Sequence, residues 1–179
     1  MGLFTKDIET LDDLFVGTLR AVYYAEHQIV DILPTLAEKA TDPELKSAFQ
    51  QHLRETEGQI RRLERVFSMH GTPAEQGSCP AIDGILKAGS GMAGDIADKQ
   101  VLDAGLTAGA QMVEHYEIAQ YGTLCAWARE LGREDCAHIL EETLAEEKAT
   151  DQKLSRLAEA RLNRQAELQT EGSSPRQYV

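Results

Sequence analysis

The stretch QMVEHYEIAQYG, residues 111–122, decides the fold. Carried outward in alternate steps of three and four, its helical stripe reads Ala110, Glu114, Glu117, Tyr121, Leu124, Ala128 and Leu131. Two carboxylates therefore lie one turn apart on a face that a helical bundle normally fills with apolar side chains. Such a pair either keeps its heads in water at the edge of the stripe or faces something that takes oxygen ligands, and the rest of the chain bears on which.

Helical periodicity runs through the sequence, and the alternation expected of strands is nearly absent. Four long helices are expected, the first from about Thr10 to Lys39, with Pro34 near its end as a possible kink. Asp42 then reads as an N-cap and Pro43 as the first residue of the second helix, which Gly71 stops after His70. The third helix is expected from about Asp95 to Leu131, ended by Gly132, and the fourth from about Glu134 to Leu168. Residues 71–94, GTPAEQGSCPAIDGILKAGSGMAG, are too long for a tight hairpin and carry one short helix in AIDGILKA.

Two helices, a long crossover and two more helices describe an all-α, ferritin-like four-helix bundle. The halves echo each other: YYAEHQIV in the first helix parallels QMVEHYEI in the third, and HLRETEGQIRRL in the second parallels TLAEEKATDQKL in the fourth. The 179 residues suit one domain, placed at residues 1–168 with a flexible C-terminal tail at 169–179.

The same extension on the other helices draws further polar residues into the seam. The first gives Phe15, Leu19, Val22, Glu26, Ile29, Leu33 and Leu36. The second gives Leu45, Ala48, His52, Glu55, Gln59, Leu63 and Val66, with Thr56 competing for the place of Glu55. The fourth gives Leu140, Leu144, Glu147, Asp151, Leu154 and Ala158. No lysine or arginine falls on these positions. A buried, unpaired ion costs several kcal/mol, so a cluster of such acids would be intolerable to a domain whose stability is on the order of 5–15 kcal/mol. Protonation relieves part of that cost; divalent cations relieve it more fully. Carboxylates with at most one imidazole suit iron or manganese rather than structural zinc. The candidate ligands are Glu26, His52, Glu55, Glu114, Glu117, Glu147 and Asp151, with Gln59 and Asp151 the weakest members, suited to orienting the others. His27 and His115 each follow a seam glutamate directly and so point away from it. Tyr23, Tyr24, Tyr116 and Tyr121 stand near the same level, as core residues able to reach a carboxylate.

A formal charge of -12 argues against nucleic acid or an anionic membrane as partner. No apolar run is long enough to span a bilayer, and the start MGLFTKDIETLDD lacks the apolar core of a signal peptide, so a cytoplasmic location is expected. Cys79, Cys125 and Cys136 form no C-x-x-C pair, so no disulfide framework and no rubredoxin-type electron relay is expected. Any redox cycle needs an external electron donor.

AEHQIVDILPTLAEKA, HLRETEGQIRRLE, EHYEIAQYGTLCAWARELG and ETLAEEKATDQKL resemble, in order, the four helical motifs of the YciE/YciF family of ferritin-like bacterial stress proteins. The resemblance covers nearly the whole chain apart from the tail. It implies a homodimer with a dinuclear carboxylate site related to those of rubrerythrin and bacterioferritin. By motif, Glu26 resembles the ligand of the first helix, Glu55 that of the second, Glu114 and Glu117 those of the third, and Glu147 that of the fourth. Glu55 and Glu147 are then expected to bridge two iron (or manganese) ions, with Glu26 and Glu114 as terminal ligands. The Glu-x-x-His of ferritin-like helices two and four is missing: Gly58 stands three after Glu55, and Thr150 three after Glu147. His52 and Asp151 are the nearest substitutes. The expected function is a di-iron protein of the stress response that reacts with dioxygen or peroxide. The alternative is a non-enzymatic structural or interaction protein, a helical homodimer with a vestigial or purely structural metal site.

Overall fold

The computed structural model describes residues 8–168. Among them every regular element is helical: α1 (Leu11–Lys39), α2 (Pro43–His70), α3 (Pro80–Asp95), α4 (Lys99–Glu130) and α5 (Glu134–Leu157), which runs through a π-helical turn (Ala158–Leu162) into α6 (Asn163–Leu168). The tail expected at 169–179 lies outside the described residues.

Each start has a local cause. Thr10 and Asp13 form a capping box at α1, the Asp13 amide donating to Thr10 Oγ1 and the Thr10 amide to Asp13 Oδ2, both at 3.0 Å. Asp42 caps α2 through the amides of Glu44 and Leu45, with Pro43 at the first position. Gly71 and Gly132, at φ +82° and +70°, take the left-handed conformation that ends α2 and follows α4. Two boundaries differ from the sequence expectation. α4 starts at Lys99 rather than about Asp95, capped by Asp98, which accepts from the amides of Gln100 and Val101. The crossover helix takes in GSGMAG as well, and Gly89 faces Gly109 where it packs on α4, a Cβ on Gly109 standing in ordinary van der Waals contact, 3.7 Å, with the Cα of Gly89. The fourth long helix is also interrupted, by the π turn, rather than regular to Leu168.

The helices α1, α2, α4 and α5 make the bundle, α1 packing on α2 and α4, and α5 on α4 and α2. One core cluster joins the C-terminal half of α1 to the beginnings of α2 and α4 and to Leu154 of α5. The other joins the beginning of α1 to the ends of α2 and α4 and the start of α5. Hence α2 and α4 run parallel, and the crossover returns the chain along the bundle, as a ferritin-like topology requires.

The α1–α2 turn is held by Asp103 of α4. Its carboxylate, 3 % exposed, accepts from the Thr41 amide (2.8 Å), the Thr41 hydroxyl (2.6 Å) and the Asp42 amide (2.9 Å). Removing it leaves these donors unpaired, so Asp103→Ala is expected to cost about 3 kcal/mol, roughly 6–12 °C of Tm. Thermal melting of the variant checks this; a loss below about 1 kcal/mol would mean that water replaces the carboxylate.

Candidate metal centre

Between the two apolar clusters lies a polar layer to which all four bundle helices contribute. Glu26 from α1, His52, Thr56 and Gln59 from α2, Glu114 and Glu117 from α4, and Thr143 and Glu147 from α5 are all buried. Ligand atoms of His52, Glu114, Glu117 and Glu147 all lie within 4.8 Å of one another. His52 Nε2 stands 3.4 Å from Glu114 Oε1. Glu26 adjoins this group, bonded by the Tyr121 hydroxyl, close enough to Glu147 to feel its charge and close enough to Glu117 to act on it.

The layer is poor in hydrogen bonds. Glu26 Oε2, both ring nitrogens of His52, Glu114 Oε2, both carboxylate oxygens of Glu117 and Glu147 Oε2 are buried without a hydrogen-bond partner. Buried polar atoms are nearly always satisfied, so a concentration of orphans in one place calls for a ligand. Burial, followed by mutual repulsion with Glu147, lifts the carboxyls of Glu26, Glu114 and Glu117 well above their ordinary range. Burial is also the main cause that pushes Glu147 up to about 7. His52 is pulled down to about 4 by burial and is neutral at physiological pH, the form in which imidazole binds metals.

The seam residues that stand outside the cluster do so for geometric reasons. Glu55 is half-buried and accepts from Gln51 Nε2 at 2.7 Å, while Thr56 is fully buried and donates its hydroxyl to the His52 carbonyl at 2.8 Å. Asp151 is partly exposed, 3.4 Å from the ring of exposed His115 and 3.4 Å from Gln111 Nε2. Both acids still act at a distance: Glu55 raises Glu147, and Asp151 raises Glu114. Gln59 is buried and donates to both Glu147 and Glu146, holding Glu147 in place. His27, as its position after Glu26 implies, turns away and packs edge-on against Tyr23.

Two residues absent from the seam reading matter here. Arg62 binds Glu146 through its guanidinium and donates to Thr143 Oγ1 at 2.8 Å, and its charge reaches Glu26 as a small stabilising influence. The internal echo contained the signal. Setting HLRETEGQIRRL over TLAEEKATDQKL places Glu55 over Glu146 and Thr56 over Glu147, so the α2 counterpart of the buried Glu147 is a threonine.

Residues 10–167 match the family profile described as a domain of unknown function, DUF892. Protein YciF of Escherichia coli (strain K12) is 41% identical over 162 residues, spanning 90% of this chain and 98% of YciF. The crystal structure of that stress protein superposes with a TM-score of 0.81, covering 84% of this chain and 96% of YciF. YcfI from Rhodopseudomonas palustris, proposed to be a structural protein, is 51% identical with a TM-score of 0.83, covering 85% of this chain and 97% of its own. Among the described residues no helix is long and apolar enough to cross a membrane. With its bundle, its crossover and its length all matched, the chain belongs to the YciE/YciF (DUF892) family.

Proposed function

We propose that the chain is a stress protein that binds two divalent metal ions, iron or manganese, in its central layer and, as the iron form, reacts with dioxygen or peroxide. The observation that carries this reading is the set of orphaned buried oxygens and neutral imidazole nitrogens shared by four helices. Glu26, Glu114, Glu117 and Glu147 together carry the negative charge that two divalent ions would neutralise, and His52 adds a nitrogen without adding charge. His52, Glu114, Glu117 and Glu147 would hold one ion; Glu26 with Glu117 and Glu147 would hold the other. Glu55 and Asp151, at the edge of the layer, would enter only by side-chain rotation. A bound ferrous pair supplies two electrons, enough to reduce dioxygen and two protons to hydrogen peroxide, or hydrogen peroxide and two protons to two waters.

The chain's own residues supply the surroundings. Gln59 fixes Glu147. The buried Tyr121 hydroxyl, raised well above its ordinary value by burial and by Glu26, stays protonated and donates to Glu26. The three cysteines are free and buried, so reducing equivalents must come from an external donor. Anaerobic titration with ferrous iron should saturate near two ions per chain. Admission of air or peroxide should then produce iron-dependent absorbance and consume the oxidant. Neither signal appearing would remove the redox function.

One observation favours a second reading, a structural protein with a residual metal site. Thr56 occupies the α2 position equivalent to Glu147, and the layer has one imidazole rather than two. The proposed structural role of YcfI is consistent with it. A ferrous-loaded protein that melts higher than the metal-free form yet leaves both oxidants untouched would select this reading. In either case the protein is expected to be a cytoplasmic homodimer, which light scattering separates from a larger shell.

A further inference from the structure

On the side of the layer that faces Leu33 and Leu106, the bundle leaves a cavity of about 50 Å³. Helices α1, α2, α4 and α5 wall it and α3 roofs it. Its inner end is formed by His52 and Glu114, two of the four clustered ligand candidates. Its outer end reaches Ser90, which is exposed. Apart from these three and Thr150 the lining is apolar. Gly89 and Gly109 bring roof and wall together back to back, and neither carries a side chain to fill the space.

Size and polarity select the occupant. A water needs roughly 10–15 Å³ of such volume, so the cavity admits a molecule of very few heavy atoms. That is far below the roughly 300–1,000 Å³ of pockets that take organic ligands of ordinary size. Wholly apolar cavities of roughly 150 Å³ stay dry and take up xenon or benzene, and the apolar stretch of this smaller one, between Ser90 and His52, suits a guest no larger than xenon. Hydrogen peroxide would surrender its hydrogen bonds to water on entering, at a cost on the order of 2–7 kcal/mol per group. Dioxygen has none to surrender. We infer that this cavity is a dioxygen-docking passage that opens beneath α3 and ends on His52 and Glu114. The inference rests on the metal-site reading above and deepens it, because it assigns dioxygen rather than peroxide to this route.

Xenon probes the cavity without any metal. In the metal-free full-length protein, pressurisation should shift the methyl resonances of Leu33, Leu106 and Val113 saturably, and Ala110→Leu, which fills the space from the α4 wall, should abolish the response. In the iron-loaded form the same substitution should slow ferrous oxidation by dioxygen several-fold and leave oxidation by hydrogen peroxide unchanged. Ala48→Leu fills the space from the α2 wall and serves the same purpose if Ala110→Leu does not fold. The inference is overturned if the wild type shows no xenon response at these methyls. It is equally overturned if a folded, xenon-blind variant consumes dioxygen at the wild-type rate, or if both oxidants slow together. A wild type that takes up xenon but oxidises no ferrous iron with either oxidant marks a different failure, that of the metal-site reading, and dioxygen falls with it as the occupant.

Discussion

Saturating divalent metal at pH 7.5 is expected to raise the melting temperature of the metal-free protein by roughly 8–16 °C. This follows from about 4 kcal/mol for one ion at a thousand times its Kd and about 2–4 °C per kcal/mol in a chain of this size. The gain should grow with pH, because the metal-free layer becomes steadily less tolerable. Glu26, Glu114, Glu117 and Glu147 all have folded-state values above their unfolded ones, chiefly through burial. The stability they contribute is complete below the ordinary glutamate range and is lost as pH rises through the folded values, about 7 for Glu147 and well above the ordinary glutamate range for the other three. His52 has the opposite sign: with its folded value near 4 against an unfolded 6.5, its contribution is complete above pH 6.5 and lost as pH falls through about 4. Above pH 6.5 the histidine no longer changes and the glutamates alone set the slope. Calorimetry should therefore show the metal-free Tm falling as pH rises from 6.5 through about 7, and a much flatter profile with metal present. A metal-free Tm that stays level across that window would mean that the four carboxyls carry no buried charge to relieve.

Glu147→Gln should move the two forms of the protein in opposite directions. Glu147 is the strongest charged influence on Glu26, Glu114 and Glu117 alike, second only to burial itself. An amide of the same shape removes that charge and can still accept from Gln59, whose side chain bonds Glu147 in the native chain. At pH 8 the metal-free variant is accordingly expected to be more stable than the native protein by roughly 2–3 kcal/mol, the worth of a shift of about two pKa units. Metal affinity should fall about 100-fold or more, since the substitution removes a ligand and losses of supporting residues alone cost about 10–100-fold. Chemical denaturation with and without ferrous or manganous ion measures both arms. A carboxylate that merely braced the bundle would lose stability in both, and that outcome would take the metal out of the account.

The part of this centre that periodicity made legible is the part in which each stripe had one solution. Glu26, Glu114, Glu117 and Glu147 fall on their lines without a rival, and all four are buried in one layer. On α2 the steps from His52 to Gln59 can pass through either residue 55 or residue 56. At about 100° per residue, Thr56 lies about 40° from the direction of His52 and Glu55 about 60° on the other side. The face centred on His52, Leu63 and Val66 accepts the smaller deviation. Asp151 illustrates the same drift: four residues beyond Glu147 it has rotated by about 40°, whereas Leu154, seven residues on, has turned back to within about 20° and is buried. What periodicity could not supply was contact between distant segments. The reach of Arg62 to Glu146, the grip of Asp103 on the α1–α2 turn and the π turn at Ala158–Leu162 all depend on which helices become neighbours.

The placement of the acid layer between two separate apolar clusters bears on cooperativity. Each end of the molecule has its own oil-like interior, one around Leu33 and Leu45 and the other around Phe15 and Phe67, and the carboxylates of the seam between them repel one another. On the proposed metal-site reading, metal ions would be the rivets that make two half-bundles melt as one. Without them the calorimetric and van't Hoff enthalpies should part company, and amide exchange should report one end opening while the other stays closed.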